Sequence, residues 1–182
     1  MMTNVFDGDH RVMVKNLLTL FFIACVVGWI YETVLEVFVY KTGFSNRGFL
    51  FGPWLPVYGF GVLAFFPGFL WLSDKHINKV LKIALTAVFC ALVATVMELL
   101  TSYILEFFTG GWLWDYTSRY TYHFQGRIAL DTSLRFGVGG ALLLYALMPC
   151  IRFIEKHSCI QNVFCAGVAA MFVDFVVQLA LR

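Results

Sequence analysis

The chain is 182 residues long, enough for one domain, and its formal net charge is only +2. Sixty per cent of it is hydrophobic, 13% is charged and the mean hydropathy is +0.80, whereas soluble proteins are about one quarter charged. That much apolar surface excludes a water-soluble fold, and so small a charge without a basic run excludes a nucleic-acid partner.

Runs of about 20 apolar residues cross the hydrocarbon core as helices. Five such spans are predicted, at 16–40, 55–72, 80–108, 128–151 and 160–181. The expected fold is an all-α integral membrane protein, a bundle of five transmembrane helices forming one polytopic domain over residues 1–182. The first span is too long for a cleavable leader and runs into Gly28-Trp29-Ile30-Tyr31-Glu32 instead of a small-residue cleavage site. The second is a kinked or a re-entrant segment, because Pro53 and Pro56 precede it and Pro67-Gly68 lies inside it. Irregular backbone at membrane depth is tolerated only where protein or a cavity surrounds it. The five cysteines show no metal-ligand spacing and read as small buried hydrophobes.

Lys and Arg counts set the orientation. Seven such residues flank the N-terminal side of the spans and five the opposite side, which puts the N-terminus in the cytoplasm and the C-terminus outside. The expected location is the cytoplasmic membrane of a bacterium, with the lipid bilayer as the first partner.

Seven ionisable residues fall inside the spans: Glu32, Glu36, Glu98, Glu106, Asp131, Arg135 and Asp174. A charge at the centre of a membrane helix costs about 2.5–3.5 kcal/mol on insertion scales and usually marks a site or pathway. At 1.5 Å of rise per residue, Glu32, Glu98 and Asp174 lie roughly 22–25 Å from the N-terminal side. Asp131 and Arg135 lie roughly 6 and 12 Å from the other edge. Against a core of about 30 Å, all seven are expected in the outer half or at its boundary. Glu32 and Glu36 share a helix face by their spacing, as do Glu98, Ser102 and Glu106, and Asp131 and Arg135 are placed to pair across one turn. These charges either line a polar cavity or pair with one another.

Two loops lie over the same side. The first reads Asn46-Arg47-Gly48-Phe49-Leu50-Phe51-Gly52-Pro53, followed by Pro56-Val57-Tyr58-Gly59-Phe60-Gly61. The second carries Trp112, Trp114-Asp115-Tyr116 and Gly126-Arg127-Ile128, with Ser133 just beyond. Its Trp and Tyr residues suit an interfacial belt equally well. The candidate binding residues are Glu32, Glu36, Asn46, Arg47, Gly48, Gly52, Pro53, Tyr58, Glu98, Ser102, Glu106, Trp114, Asp115, Arg127, Asp131, Ser133 and Arg135.

On these motifs, together with Gly28-Trp29 and Thr101-Ser102-Tyr103, the chain resembles the ABC-transporter type IV family. These are small bacterial multi-pass membrane proteins named for likeness to a bicarbonate-transport permease. The resemblance covers Gly28 to Pro149 and implies a permease-like protein. The chain has Asp131 and Arg135 where the family often has apolar residues, and Phe136 in place of a Trp. No phosphate-binding glycine loop of the Walker type is present, and the Ser73–Lys79 loop leaves little room for an ATPase-coupling helix.

Three functions stay open on this reading. The first is a transporter, or transporter-associated subunit, for a small polar or anionic solute, working as a homo-oligomer or with other membrane subunits. Carboxylates in a low-dielectric cavity can carry protons or cations, Arg47 and Arg127 suit an anion, and the small residues at 137–141 and 166–170 suit helix contacts. The second is a membrane-embedded enzyme acting on a lipid or lipid-linked substrate of the outer leaflet, and the third a non-catalytic membrane subunit. No catalytic residue, metal or cofactor is assigned, and no nucleophile has an evident base.

Overall fold

The computed structural model describes residues 9–39, 41, 43–46, 48–112 and 114–181. Arg47, one of the candidate binding residues, lies outside them. Among the described residues, five helices are long and apolar enough to cross a membrane. Helix α1 runs His10–Val34 and continues as a π-helical segment, Leu35–Val39. Helix α2 is Pro56–Ser73, α3 Lys79–Thr109, α4 Leu130–Glu155 and α5 Ser158–Ala180. Two short strands, β1 (His123–Phe124) and β2 (Ile128–Ala129), pair antiparallel just before α4.

Local chemistry sets the ends. Asp9 accepts the Arg11 N–H at 3.2 Å, so α1 begins at His10, earlier than the apolar pattern predicts. Pro56 opens α2, where its missing N–H costs nothing. The helix then continues through Pro67 to Ser73, so the second span is a continuous helix and not a re-entrant one. Asn78 caps α3 through its side chain, accepting the Val80 N–H at 2.8 Å. Gly110, left-handed at φ 76°, closes α3 by returning its N–H to the Glu106 carbonyl. Helix α4 starts at Leu130, since Ile128 and Ala129 are committed to the strand pair.

The chain forms two compact units, residues 1–63 with 146–182 and residues 64–145, the boundaries falling inside α2 and α4. In the first unit α1 packs on α5. Its core holds Phe21, Cys25, Leu50 and Met171, with Trp54, Leu63 and Val168 against them. Buried polar residues join the same two helices: Gln161 donates to Asn16 at 2.7 Å, and Asn16 to Glu155 at 3.3 Å. In the second unit Phe65, Phe69, Cys90 and Leu144 are buried, and the Phe69 ring meets Tyr145 edge-on, 5.1 Å between centres.

Some of the small residues serve contacts within the chain. A Cβ at Gly137 would strike the Ala87 and Ala91 positions of α3, and one at Gly167 would strike the Phe22 ring of α1. Cys25 and Cys90 are buried as expected, but Cys150 and Cys159 are exposed on α4 and α5, on faces turned away from the packed core.

Candidate functional site

The charged residues of the spans gather at one loop in each unit, and each cluster is built differently. In the first unit the loop 43–55 is moored from two helices. Asn46 accepts the Trp29 indole N–H at 2.8 Å and donates to the carbonyls of Leu50 at 3.1 Å and Phe51 at 2.8 Å. Asp174, on α5, accepts the N–H groups of Phe51 at 3.1 Å and Gly52 at 2.9 Å and the Trp54 indole N–H at 3.0 Å. An ionised acceptor strengthens each such bond, to about 1.5–3 kcal/mol. Asp174 is thereby a mooring post for the motif Phe51-Gly52-Pro53-Trp54.

The two glutamates of α1 meet the same loop and the start of α2. Glu32 accepts a short hydrogen bond from the Tyr58 hydroxyl. Gly28, one turn earlier, makes this possible, because any Cβ there would collide with the Tyr58 ring. Glu36 is buried in the π-helical segment and accepts the Ser45 hydroxyl at 3.0 Å on each oxygen. Gly48 holds φ +92°, a conformation that favours glycine, and a Cβ there would meet Leu55. Asn46, Gly48, Gly52, Pro53 and Tyr58 thus all belong to the folding of one loop onto α1 and α5.

The second unit is organised by Arg127. Gln125 (φ 53°) and Gly126 (φ 70°) are both left-handed, the signature of a primed hairpin turn, and the Phe124 carbonyl accepts the Arg127 N–H at 3.0 Å. A side chain at Gly126 would strike Asp115 and Thr117, because Tyr116 hydrogen bonds to the Gly126 carbonyl at 2.9 Å. The hairpin delivers Arg127 into the protein, where it is only 5% exposed. Its Nη2 pairs with Glu106 at 2.6 Å, and its Nη1 donates to the fully buried Ser102 at 3.3 Å. The guanidinium carbon lies 4.3 Å from the centre of the Tyr103 ring and 3.9 Å from that of Trp112. Such cation–π contacts strengthen where water is excluded.

One α-helical turn back from Ser102, Glu98 takes a different partner. The Tyr116 hydroxyl donates to its Oε1 at 2.9 Å, and Thr132 lies beside both groups. Its Oε2 is buried and has no hydrogen-bond partner among the described residues. Glu98, Ser102 and Glu106 therefore do form one stripe, all three meeting the segment that follows α3. Burial and the adjoining Glu98 carboxylate push the Tyr116 phenol well above its ordinary value. Ser133 accepts the Thr95 hydroxyl at 2.7 Å and donates to the Ala129 carbonyl, joining α3 to α4.

Asp131 and Arg135, expected inside the fourth span, are both exposed. Asp131 sits in the first turn of α4, where a carboxylate suits the helix dipole, and the Arg135 guanidinium lies 5.8 Å from the Tyr120 ring centre. The seven charges also divide between the two units, Glu32, Glu36 and Asp174 in the first and Glu98, Glu106, Asp131 and Arg135 in the second. Of the residues that touch the charged groups, Trp112 reads from sequence only as part of an interfacial belt, Tyr103 and Tyr116 enter through the family motifs, and Thr132 carries no signal.

Trp114 donates its indole N–H to the Arg127 carbonyl at 2.7 Å, and Asp115 accepts the Thr117 N–H at 2.9 Å and hydroxyl at 2.5 Å. These two hydrogen bonds hold the Asp115 carboxyl below its usual range. Among the described residues no three His, Cys, Asp or Glu side chains come together in a metal-holding group.

No curated protein and no solved structure matches the chain. The family described as "Putative ABC-transporter type IV" matches residues 19–179, a stretch that contains all five helices in whole or in large part and both charged clusters, and the chain belongs to that family.

Proposed function

We propose that the protein is a membrane transport protein for a small polar solute and that Glu98, with Tyr116, is the group that meets the solute or an accompanying proton. One observation carries this reading. The second oxygen of Glu98 is buried without a partner among the described residues, whereas four other carboxylates have theirs: Glu106 on Arg127, Asp174 on three N–H groups, Glu36 on Ser45 and Glu32 on Tyr58. An unmet buried acceptor costs about 1–3 kcal/mol, a cost removed by a proton, a cation or a donor group of a solute. Since Arg127 is already neutralised by Glu106, a solute bearing hydroxyl, amide or ammonium donors fits better than an anion. The Lys and Arg distribution favours a cytoplasmic N-terminus, and we take the membrane to be the bacterial cytoplasmic membrane.

The test is flux. Proteoliposomes holding the protein are offered a uniformly labelled extract of small metabolites, and the contents are read by mass spectrometry. At least one polar solute is expected to enter with the unmodified protein and to fall about tenfold, equivalent to 1.4 kcal/mol, with Glu98→Gln. Equal uptake by both, or none by either, counts against the reading.

A second reading is a non-catalytic membrane subunit. It is favoured by α5, of which only Gln161 and Met171 are buried, so that its remaining surface is open to lipid or to another chain. A partner that co-purifies in fixed stoichiometry, and is lost when exposed residues of α5 such as Phe172 are changed, would support it.

A further inference from the structure

We propose that the recess lined by Gly111, Trp112, Trp114 and Asp115 binds an ammonium group, carried by a lipid headgroup or by a free solute. The recess is open and measures about 410 Å³. Two indole rings beside a carboxylate are the elements that recognise alkylated ammonium ions, through the ring quadrupoles and the opposite charge.

Each wall is held from behind by residues that do not line the recess. The Trp112 ring is backed by the Arg127 guanidinium at 3.9 Å, and the Trp114 indole N–H is fixed to the Arg127 carbonyl at 2.7 Å. Asp115 has one oxygen, Oδ1, engaged twice by Thr117, while no partner meets Oδ2 among the described residues. Gly126 presses on the same carboxylate, leaving no room for a Cβ between them. A site whose walls are already fixed binds without the entropy of ordering them.

The sign of the charge follows from the same contacts. Arg127 is closed on Glu106, and Asp115 is the charged residue among the four that line the recess. Thr117 keeps that carboxylate ionised, and an anion is disfavoured in the recess. The proposal does not depend on Glu98 being a transport site, since the recess is lined by other residues.

Tetramethylammonium chloride is the probe. It is titrated against the purified full chain in a nonionic detergent, with sodium chloride at equal ionic strength as the reference, and binding is read by calorimetry and tryptophan fluorescence. Saturable binding of tetramethylammonium, weakened about tenfold or more by Asp115→Asn and by Trp114→Leu, is the expected result. Asp115→Asn keeps an oxygen for Thr117, so its thermal midpoint should stay near that of the unmodified protein and its loss of binding is not a folding defect. Repeating the titration in nanodiscs separates the sources. Weaker apparent binding in phosphatidylcholine than in phosphatidylglycerol identifies a lipid headgroup as the guest, and equal binding identifies a free solute. No saturation by tetramethylammonium, or unchanged affinity in Asp115→Asn, overturns the proposal.

Discussion

The Tyr116 hydroxyl donates to Glu98 Oε1 at 2.9 Å, while the other oxygen of that carboxylate is buried without a partner among the described residues. The pair joins a residue of α3 to one of the loop after it, eighteen positions along the chain. It leaves a buried carboxylate oxygen with bonding capacity to spare.

The Tyr116 phenol is raised by burial and by the neighbouring carboxylate, so the folded protein holds this proton more tightly than the unfolded chain. The stability it contributes is complete below the unfolded value of about 10 and is lost as the pH climbs from there toward the folded value. Ultraviolet titration should show one tyrosine ionising later than the rest. In Glu98→Gln that tyrosine should ionise earlier, and an unchanged titration would contradict the contact.

Asp115 shifts the other way. Its carboxyl is held low by the Thr117 hydroxyl first and the Thr117 N–H second, so its contribution is present above the unfolded pKa of about 3.9 and disappears as the pH falls through the lower folded value. Thr117→Ala should raise the Asp115 pKa, as followed by carbon-detected carboxyl resonances. The N–H bond at 2.9 Å survives in that variant, so the shift should be partial.

Arg127 is a structural cation whose shape matters as much as its charge. Lysine keeps the charge but loses the planar fork and the stacking on Tyr103 and Trp112. Breaking a fully buried pair costs about 3–5 kcal/mol. Here Glu106 is 43% exposed, so Arg127→Ala should cost less, about 2 kcal/mol. Arg127→Lys should recover less than half of that, read as the midpoint of thermal unfolding in detergent. Full recovery by lysine would show that the two rings contribute nothing.

The spans were legible because uninterrupted apolar runs of helical length have no soluble alternative. Their ends were less so. Asn16 reads as a polar boundary, yet it lies inside α1, buried against Gln161 and Glu155 from 145 and 139 residues away. Pro67 reads as a break, yet it sits within a continuous α2. The stripe of Glu98, Ser102 and Glu106 was visible from helical spacing alone, but its partners were not, because the hairpin that delivers Arg127 depends on backbone angles at Gln125 and Gly126. Asp174 looked like a buried charge awaiting a ligand. Its ligands are backbone and indole N–H groups more than 110 residues earlier, at separations of 123, 122 and 120.

The central claim is that Glu98 is kept for function while Glu32, Glu36, Glu106 and Asp174 are kept for structure. Comparing Glu98→Gln with Asp174→Asn in thermal unfolding and in proteoliposome uptake of labelled metabolites tests it most directly. Glu98→Gln should retain the thermal midpoint and lose uptake, whereas Asp174→Asn should lower the stability by about 2 kcal/mol, the worth of charge-assisted hydrogen bonds. A Glu98→Gln protein that unfolds as early as Asp174→Asn, or that transports as well as the unmodified chain, would contradict the account.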